Sequence, residues 1–382
     1  MKILADENIP YVKELFSDFA TIVTCNGRMI SADILSDIDI LLVRSVTKVN
    51  KELLENSPVR FVGTTTVGIE HLDTDWLQQQ GIVYANAPGC NAIAVAEYIL
   101  SGLFVLAEEF KVDLRHSKVA IVGAGNVGTA VSKRLDILNI PHGLYDPPLA
   151  NSGDKRKMIT EKELASYDII TLHVPLTNSN KSQWPTEKMI DKEFLSNMKN
   201  MKYLINTSRG DVIDSQSLKG WLDANNEHHA ILDVWQNEPF IDIALLQKCL
   251  LSTPHIAGHS LEGKIKGILM IYHSFCQHFG HKDSVDDDSY LRRGQPKDII
   301  HLQKEQSFMQ TIAAAIWSVY DIRHDDKALR GGLKRDINEH FDRLRKSYKM
   351  RREFSAHRLD TISLPDGSRN TLTKLGFRMS AD

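Results

Sequence analysis

Arg209, Glu238 and His255 are the residue types that could oxidise a hydroxy acid between them. A guanidinium holds a carboxylate with a two-pronged fork that lysine cannot match. An imidazole takes up or returns a proton near neutral pH. A carboxylate next to that imidazole orients it and favours its charged form. Each of the three follows a short apolar run. Arg209 lies in Asn206-Thr207-Ser208-Arg209-Gly210 after Tyr203–Asn206. Glu238-Pro239 comes shortly after Ala230–Val234, and His255 follows a run around Ser252. Loops after parallel strands sit at the carboxyl edge of a sheet, where ligands bind. A lone histidine among the 15 in this chain is more often structural, and a lone surface arginine carries no meaning. The shared placement of all three points to a site.

A second pattern supplies a partner for that chemistry. Gly123-Ala124-Gly125-Asn126-Val127-Gly128 fits G-x-G-x-x-G, follows the apolar run Val119–Val122 and opens a helical pattern. In that context the first glycine allows a tight turn and the second admits a pyrophosphate to the backbone. The third lets helix and strand pack closely. The helix N-terminus offers free N–H groups to phosphate. Asp146 ends the next strand, where a carboxylate can accept from ribose hydroxyls and repel a 2′-phosphate, so NAD is expected rather than NADP. The plainer alternative is a turn aspartate before Pro147-Pro148.

The elements that must position these residues alternate between strand and helix. Lys2–Ala5, Thr21–Thr24, Ile40–Val43, Phe61–Gly63 and Val83–Ala85 read as strands, with helices at Tyr11–Phe19, Lys51–Asn56 and Thr74–Gln80. A long helix, Ala92 to Glu109, follows. A second alternating unit begins at Lys118, with a helix at Asn126–Leu138, and a helix from Leu261 to Phe279 returns to the first unit. Such alternation means parallel pairing with crossover helices. The fold class is α/β: two doubly wound, Rossmann-like parallel-sheet domains plus a small α+β C-terminal dimerisation domain. The expected boundaries are 1–95 with 257–282 for a discontinuous substrate-binding domain, 96–256 for the NAD-binding domain and 283–382 for the C-terminal domain. In that last part an apolar helical face, Ile312, Ala315, Ile316 and Val319, suggests a homodimer interface, the alternative being that it packs only against its own chain. From Arg343 to Arg352, six of ten residues are lysine or arginine.

Composition sets the outer limits. Over 382 residues the hydrophobic content is 42% and the charged content 25%, ordinary globular values. A net charge of -3 argues against a nucleic-acid partner, and the basic run reads first as a solvated helix face. The most apolar helical stretch is broken by Glu97, Glu108 and Glu109, so no membrane span is expected, and no signal peptide is read. Cys25, Cys90, Cys249 and Cys276 are scattered, without a Cys-x-x-Cys pair. That argues against a metal site or disulfide framework and fits a reducing cytoplasm.

Taken together, Gly123–Gly128, Leu172-His173-Val174-Pro175-Leu176-Thr177, Asn206–Gly210, Asp233-Val234-Trp235 with Glu238-Pro239, and Pro254-His255 resemble the D-isomer-specific 2-hydroxyacid dehydrogenase family. Leu42–Asn50, Ala87–Ala94, Ile256-Ala257-Gly258 with Ser260–Lys264, and Phe341–Lys346 carry a narrower likeness within it, to enzymes of a phosphorylated hydroxy acid. The resemblance implies that Arg209 binds the substrate carboxylate, His255 takes the hydroxyl proton and Glu238 pairs with His255. It implies substrate contacts at Ser45, Thr66 and His259, with Arg44 close by. It implies that NAD is lined by Gly123, Gly125, Asn126, Val127, Gly128, Asp146, Val174, Thr207, Asp233 and Gly258. His259 stands where the resemblance leads one to expect a tyrosine, and Thr177–Met189 departs from the family pattern. For the substrate phosphate the expected cations are Arg44 and one of Arg351 or Arg352, the latter reaching the site of a neighbouring subunit, the alternative for the basic run being a solvated helix. Alternatives are another dehydrogenase of the class, acting on phosphoglycerate or glyoxylate, or an NADH-sensing binding protein on the same fold.

Overall fold

Ile-Leu-Leu-Val at 40–43 and Val-Ala-Ile-Val at 119–122 are apolar at every position, and every residue of both is buried. Runs of this kind form strands covered on both faces, as all-parallel sheets require. The computed structural model describes residues 1–180, 182–302, 307–334, 336–360, 364–365 and 367–380. It resolves the chain into two units, Met1–Asn91 with Ser260–Gln295, and Ala92–His259 with Pro296–Asp382.

In the first unit β1 (Lys2–Asp6), β2 (Thr21–Cys25), β3 (Ile40–Val43), β4 (Phe61–Thr64) and β5 (Val83–Ala85) form one sheet in the order β2-β1-β3-β4-β5. All its pairings are parallel. The Leu261–Phe279 helix belongs here, as expected: Ile265, Ile268, Ile271, Tyr272 and Phe275 share a core with Ile3, Phe16 and Phe61. Ser260 caps its start by accepting from the Gly263 N–H, and Gly280 ends it at φ 69°.

In the second unit β6 (Val119–Val122), β7 (His142–Tyr145), β8 (Ile169–Leu172), β9 (Tyr203–Asn206), β10 (His229–Leu232) and β11 (Leu251–Ser252) form a parallel sheet ordered β11-β10-β9-β8-β6-β7. The order reverses at β6 and β8, so the loops leaving those strands flank the switch point where ligands of such sheets bind. The glycine motif is the loop after β6.

The C-terminal residues differ from expectation in what they pack against. They do carry a small α+β arrangement: β12 (Ile299–Ile300), β13 (Arg358–Leu359) and β14 (Arg378–Met379) form a parallel sheet ordered β12-β13-β14, alongside helices Phe308–Val319, Ile322–Arg330, Ile337–Lys346 and Ser368–Leu375. They do not stand apart as 283–382, however, but join the second unit from Pro296 onward. Ile312, Ala315 and Ile316, read as an interface face, are fully buried in their own chain against the Ala92–Glu109 helix, in one core with Tyr98, Ile99 and Leu103. The Ile322–Arg330 helix covers β11, the sheet's edge strand, where Asp326 accepts from the Ser252 N–H at 2.8 Å. An uncovered edge would offer unpaired backbone groups to other chains.

Arg351 is corrected in the same way. It is only 7% exposed and donates through one nitrogen to the Ala94 and Ala257 carbonyls, each at 2.8 Å, while its guanidinium lies 4.0 Å over the Tyr320 ring. A guanidinium held this way is a packing element of its own chain and cannot serve a substrate phosphate. Close by, Glu97 is 1% exposed and accepts from the Phe354 N–H at 2.9 Å. Burial, reinforced by the neighbouring Glu353 carboxylate, outweighs Arg134 and Arg351 and pushes Glu97 up to about 8.

A carboxyl that titrates higher in the folded than in the unfolded chain stabilises the fold fully below its unfolded pKa. That contribution is lost as pH rises from the ordinary glutamate value of 4.5 through about 8. Urea unfolding between pH 5 and 8 should therefore show stability falling with pH, and Glu97→Gln should flatten that slope. An unchanged slope in Glu97→Gln would contradict the assignment.

Candidate active site

Backbone constraints assemble the site before any side chain does. Asn206 ends β9 and its amide clasps the next turn. Its Oδ1 accepts from the Ser208 N–H at 3.0 Å and hydroxyl at 2.7 Å, and its Nδ2 donates to the Arg209 carbonyl at 2.9 Å. Gly210 follows, and a Cβ there would lie 2.0 Å from the Trp235 backbone. Only glycine lets the Arg209 loop press against the loop that carries Glu238.

That second loop turns so that the Glu238 carboxylate folds back on it. Glu238 Oε1 accepts from the Trp235 N–H at 2.9 Å, and Oε2 lies 2.7 Å from His255 Nδ1. Burial works against the Glu238 carboxylate. The charge and hydrogen bond of His255, the Trp235 N–H and the Arg345 guanidinium outweigh burial and hold its pKa below the usual carboxylate value. An ionised carboxylate only accepts, so Nδ1 carries the ring proton and Nε2 is left as the acceptor nitrogen. That tautomer is the one a general base needs.

His255 reaches this position on a strained backbone, φ 57°, which a non-glycine residue adopts only when its surroundings impose it. Here Asp233 imposes it. The Asp233 carbonyl accepts from the His255 N–H at 2.7 Å. Its carboxylate accepts from the Ile256 and Ala257 N–H groups at 2.7 and 2.9 Å and from the Thr253 hydroxyl at 2.6 Å. Asp233, expected beside the cofactor, is thus first a clamp on the histidine loop, 1% exposed.

The three glycines of the motif differ in their steric surroundings. Gly123 sits at φ 94° with the His173 carbonyl 2.6 Å from where a Cβ would be, and a Cβ on Gly128 would meet the Gly123 carbonyl at 2.0 Å. Around Gly125 nothing lies within 4 Å, and it precedes the Asn126–Leu138 helix. The backbone is therefore open where a pyrophosphate would approach the helix N-terminus, so the residues fit a dinucleotide. Asn126 and Val127 open that helix. Asp146 has the turn role weighed for it, capping the next helix through the Leu149 N–H at 3.0 Å, and its other oxygen accepts from the Ala124 N–H at 2.8 Å. The carboxylate is thereby fixed beside the glycine loop. Thr207 bonds His173 Nδ1 at 3.1 Å, tying the loops after β8 and β9 together. Burial lowers His173 to about 3, so that tie stays neutral. Val174 is half-buried one residue on, and Gly258 is half-buried beyond His255. In the divergent segment Thr177–Met189, Lys181 lies outside the described residues.

Ser45, Thr66 and Arg44, expected near substrate, belong to the first unit. Ser45 is exposed just beyond β3. Thr66 donates its hydroxyl to the Gly68 carbonyl at 2.9 Å, which leaves it only lone pairs for a ligand. Arg44 pairs through Nε with buried Asp6 at 2.9 Å. Burial, then the neighbouring Arg44 charge, lowers the pKa of Lys264, a cation that sequence reasoning passed over. In the second unit His259 meets the edge of Tyr348, ring centroids 5.7 Å apart. Sequence reasoning also missed Arg345, 3.7 Å from Glu238 Oε2. The basic run containing it was visible, but helical register decides which of its cations faces the site.

Residues 96–257 match the family described as D-isomer specific 2-hydroxyacid dehydrogenase, NAD binding domain, and residues 285–376 match a domain of unknown function, DUF3410. The erythronate-4-phosphate dehydrogenase of Psychromonas ingrahamii is 40% identical over 380 residues, covering 99% of this chain and 96% of that one. That of Escherichia coli O81 is 41% identical over 379 residues, covering 99% and 98%. Among solved structures, NAD-dependent formate dehydrogenase from Staphylococcus aureus in complex with NAD aligns at TM-score 0.58 and 23% identity, over 75% of this chain and 98% of that one. The NAD-bound 3-phosphoglycerate dehydrogenase of Entamoeba histolytica aligns at 0.61 and 23%, over 73% and 95%.

The glycine geometry separates two outcomes. Gly125→Ala should leave thermal stability nearly unchanged and weaken NAD binding, read by calorimetric titration. Gly123→Ala should destabilise the fold itself, since both the backbone angle and the space forbid a Cβ. Equal effects of the two on stability would contradict this division.

Proposed function

The chain belongs to the erythronate-4-phosphate dehydrogenase branch of the D-isomer specific 2-hydroxyacid dehydrogenase family, and we propose that it oxidises 4-phospho-D-erythronate to (R)-3-hydroxy-2-oxo-4-phosphooxybutanoate, a step towards pyridoxal 5′-phosphate. The observation that carries the reading is the His255 Nδ1–Glu238 contact at 2.7 Å beside the loop of Arg209. Arg209 anchors the substrate carboxylate and polarises the C2 oxygen. His255 Nε2 removes the hydroxyl proton, and Glu238 stabilises the imidazolium that forms. NAD, held by the Gly123–Gly128 loop and Asp146 with Val174, Thr207, Asp233 and Gly258 alongside, supplies the hydride acceptor when bound. Ser45, Thr66 and His259 contact substrate, and Arg44 serves the phosphate through the guanidinium nitrogens that Asp6 leaves available. No helix among the described residues is long and apolar enough to cross a membrane. Four free cysteines support a reducing, cytoplasmic setting.

A panel of hydroxy acids with and without a terminal phosphate, assayed for NADH formation, tests the reading. The phosphorylated four-carbon acid should be preferred. His255→Ala should lower kcat by about 10²–10⁴-fold while NAD binding persists, and Arg44→Ala should cost most on the phosphorylated substrate. Preference for 3-phosphoglycerate or glyoxylate would favour another enzyme of the class, and NADH binding without turnover a sensing protein.

The homodimer that the resemblance implies is part of the same proposal. Its interface must use residues other than the Ile312 face. Removing the segment would expose the core around Tyr98 and Ile99, so the measurement needs the intact chain. Sedimentation velocity should give a particle of twice the 43.1 kDa chain mass, and a single-chain particle at micromolar concentration would dismiss it.

A further inference from the structure

The Ile337–Lys346 helix lays Ile337 and Phe341, one turn apart, into the core that also holds Trp235, Ile241 and Leu245. One more turn along the same face comes Arg345. Its Nη1 lies 3.7 Å from Glu238 Oε2, the same oxygen that meets His255 Nδ1 at 2.7 Å. Its Nε is buried without a hydrogen-bond partner, and its guanidinium sits 6.0 Å from the Phe341 ring. Packing, not a saturated hydrogen-bond set, therefore holds this cation against the carboxylate.

We propose that Arg345 is a positioning residue: through Glu238 it sets how firmly His255 holds its proton, which makes the C-terminal segment part of the catalytic apparatus. Without Arg345, Glu238 faces His255 with its full negative charge, favours the imidazolium strongly and yields a poor base for a hydroxyl proton. With Arg345 beside the shared oxygen, part of that charge is offset and the imidazole is more readily neutral. Among the described residues, the charged groups facing Glu238 are His255 and Arg345, and the Trp235 N–H also donates to it. The Arg345 guanidinium also helps to keep Glu238 ionised despite its burial. Arg345 does not touch substrate in this scheme; it acts through Glu238.

This inference rests on the dehydrogenase reading for its meaning, but its test does not need substrate. In full-length protein labelled with ¹³C-histidine, the His255 signal is assigned by its loss in His255→Asn and followed against pH. Arg345→Met should raise the His255 titration midpoint by about 0.5–1 pH unit, the scale of one partly screened charge at this range. Arg345→Lys should restore most of it, and the acidic limb of kcat/KM for hydroxy-acid oxidation, where protonation of His255 removes the base, should move by the same amount. In a Glu238→Gln background, Arg345→Met should add little, as a coupled pair requires. Should Arg345→Met fail to fold, Arg345→Gln carries the same expectation. An unmoved midpoint in the folded variant overturns the proposal, as does an equal shift with and without Glu238. A loss confined to phosphorylated substrates with an unmoved midpoint also overturns it, making Arg345 a phosphate anchor. A shifted midpoint in a chain that oxidises no hydroxy acid supports the Arg345 role and sinks the dehydrogenase reading alone.

Discussion

Asp233 is a buried carboxylate on which two backbone N–H groups and a threonine hydroxyl converge, while its own carbonyl takes the His255 N–H. Burying a charge in this way is costly unless its lone pairs are filled, and here they are filled by the loop that must be held. The left-handed backbone of His255 follows from that convergence, and the aim of its ring follows from the backbone. Glu238 then meets Nδ1, and the other ring nitrogen is left as an acceptor. Tyr98, from the Ala92–Glu109 helix, reaches the same cluster through a 2.8 Å contact with Thr253, so the geometry of the loop is continuous with the core of the second unit.

The C-terminal residues extend that continuity. Arg351 ties two carbonyls, one on the Ala92–Glu109 helix and one two residues beyond His255, into a single contact. Arg330 donates to the Leu246 and Cys249 carbonyls, and Asp326 takes the Ser252 N–H, so the edge strand next to the histidine loop is closed by side chains of a helix far along the chain. Related folds align over about three quarters of this chain. The extension acts within its own chain as a second wall of the cofactor unit.

Much of this was legible from residue order. Strand runs such as Ile40–Val43 and Tyr203–Asn206, and helices such as Ala92–Glu109, Asn126–Leu138 and Leu261–Phe279, appear with the bounds the apolar pattern indicates, because continuous burial or helical periodicity is written locally. The glycine motif was legible for a similar reason: the steric demand at Gly123 and Gly128 comes from the strand–turn–helix they join. The short helices at Pro147–Asn151 and Ile243–Lys248 were not, since their caps depend on single aspartates rather than on a period.

By itself the sequence determined the residue types of the site, the parallel alternation that puts Arg209, Glu238 and His255 beyond strand ends, and the family. Only the tertiary structure decided which partner each side chain meets. Ile312 and Ile316 are apolar whether they face a second chain or their own, and only the packed core shows that they meet Tyr98 and Ile99. Arg345 and Arg351 are equally basic in the sequence. The turn of the Ile337–Lys346 helix points one at Glu238, while the fold buries the other among carbonyls and Tyr320. Periodicity records that a face is buried, but not against what. Contacts between residues a hundred or more positions apart are fixed by packing, which no local pattern encodes.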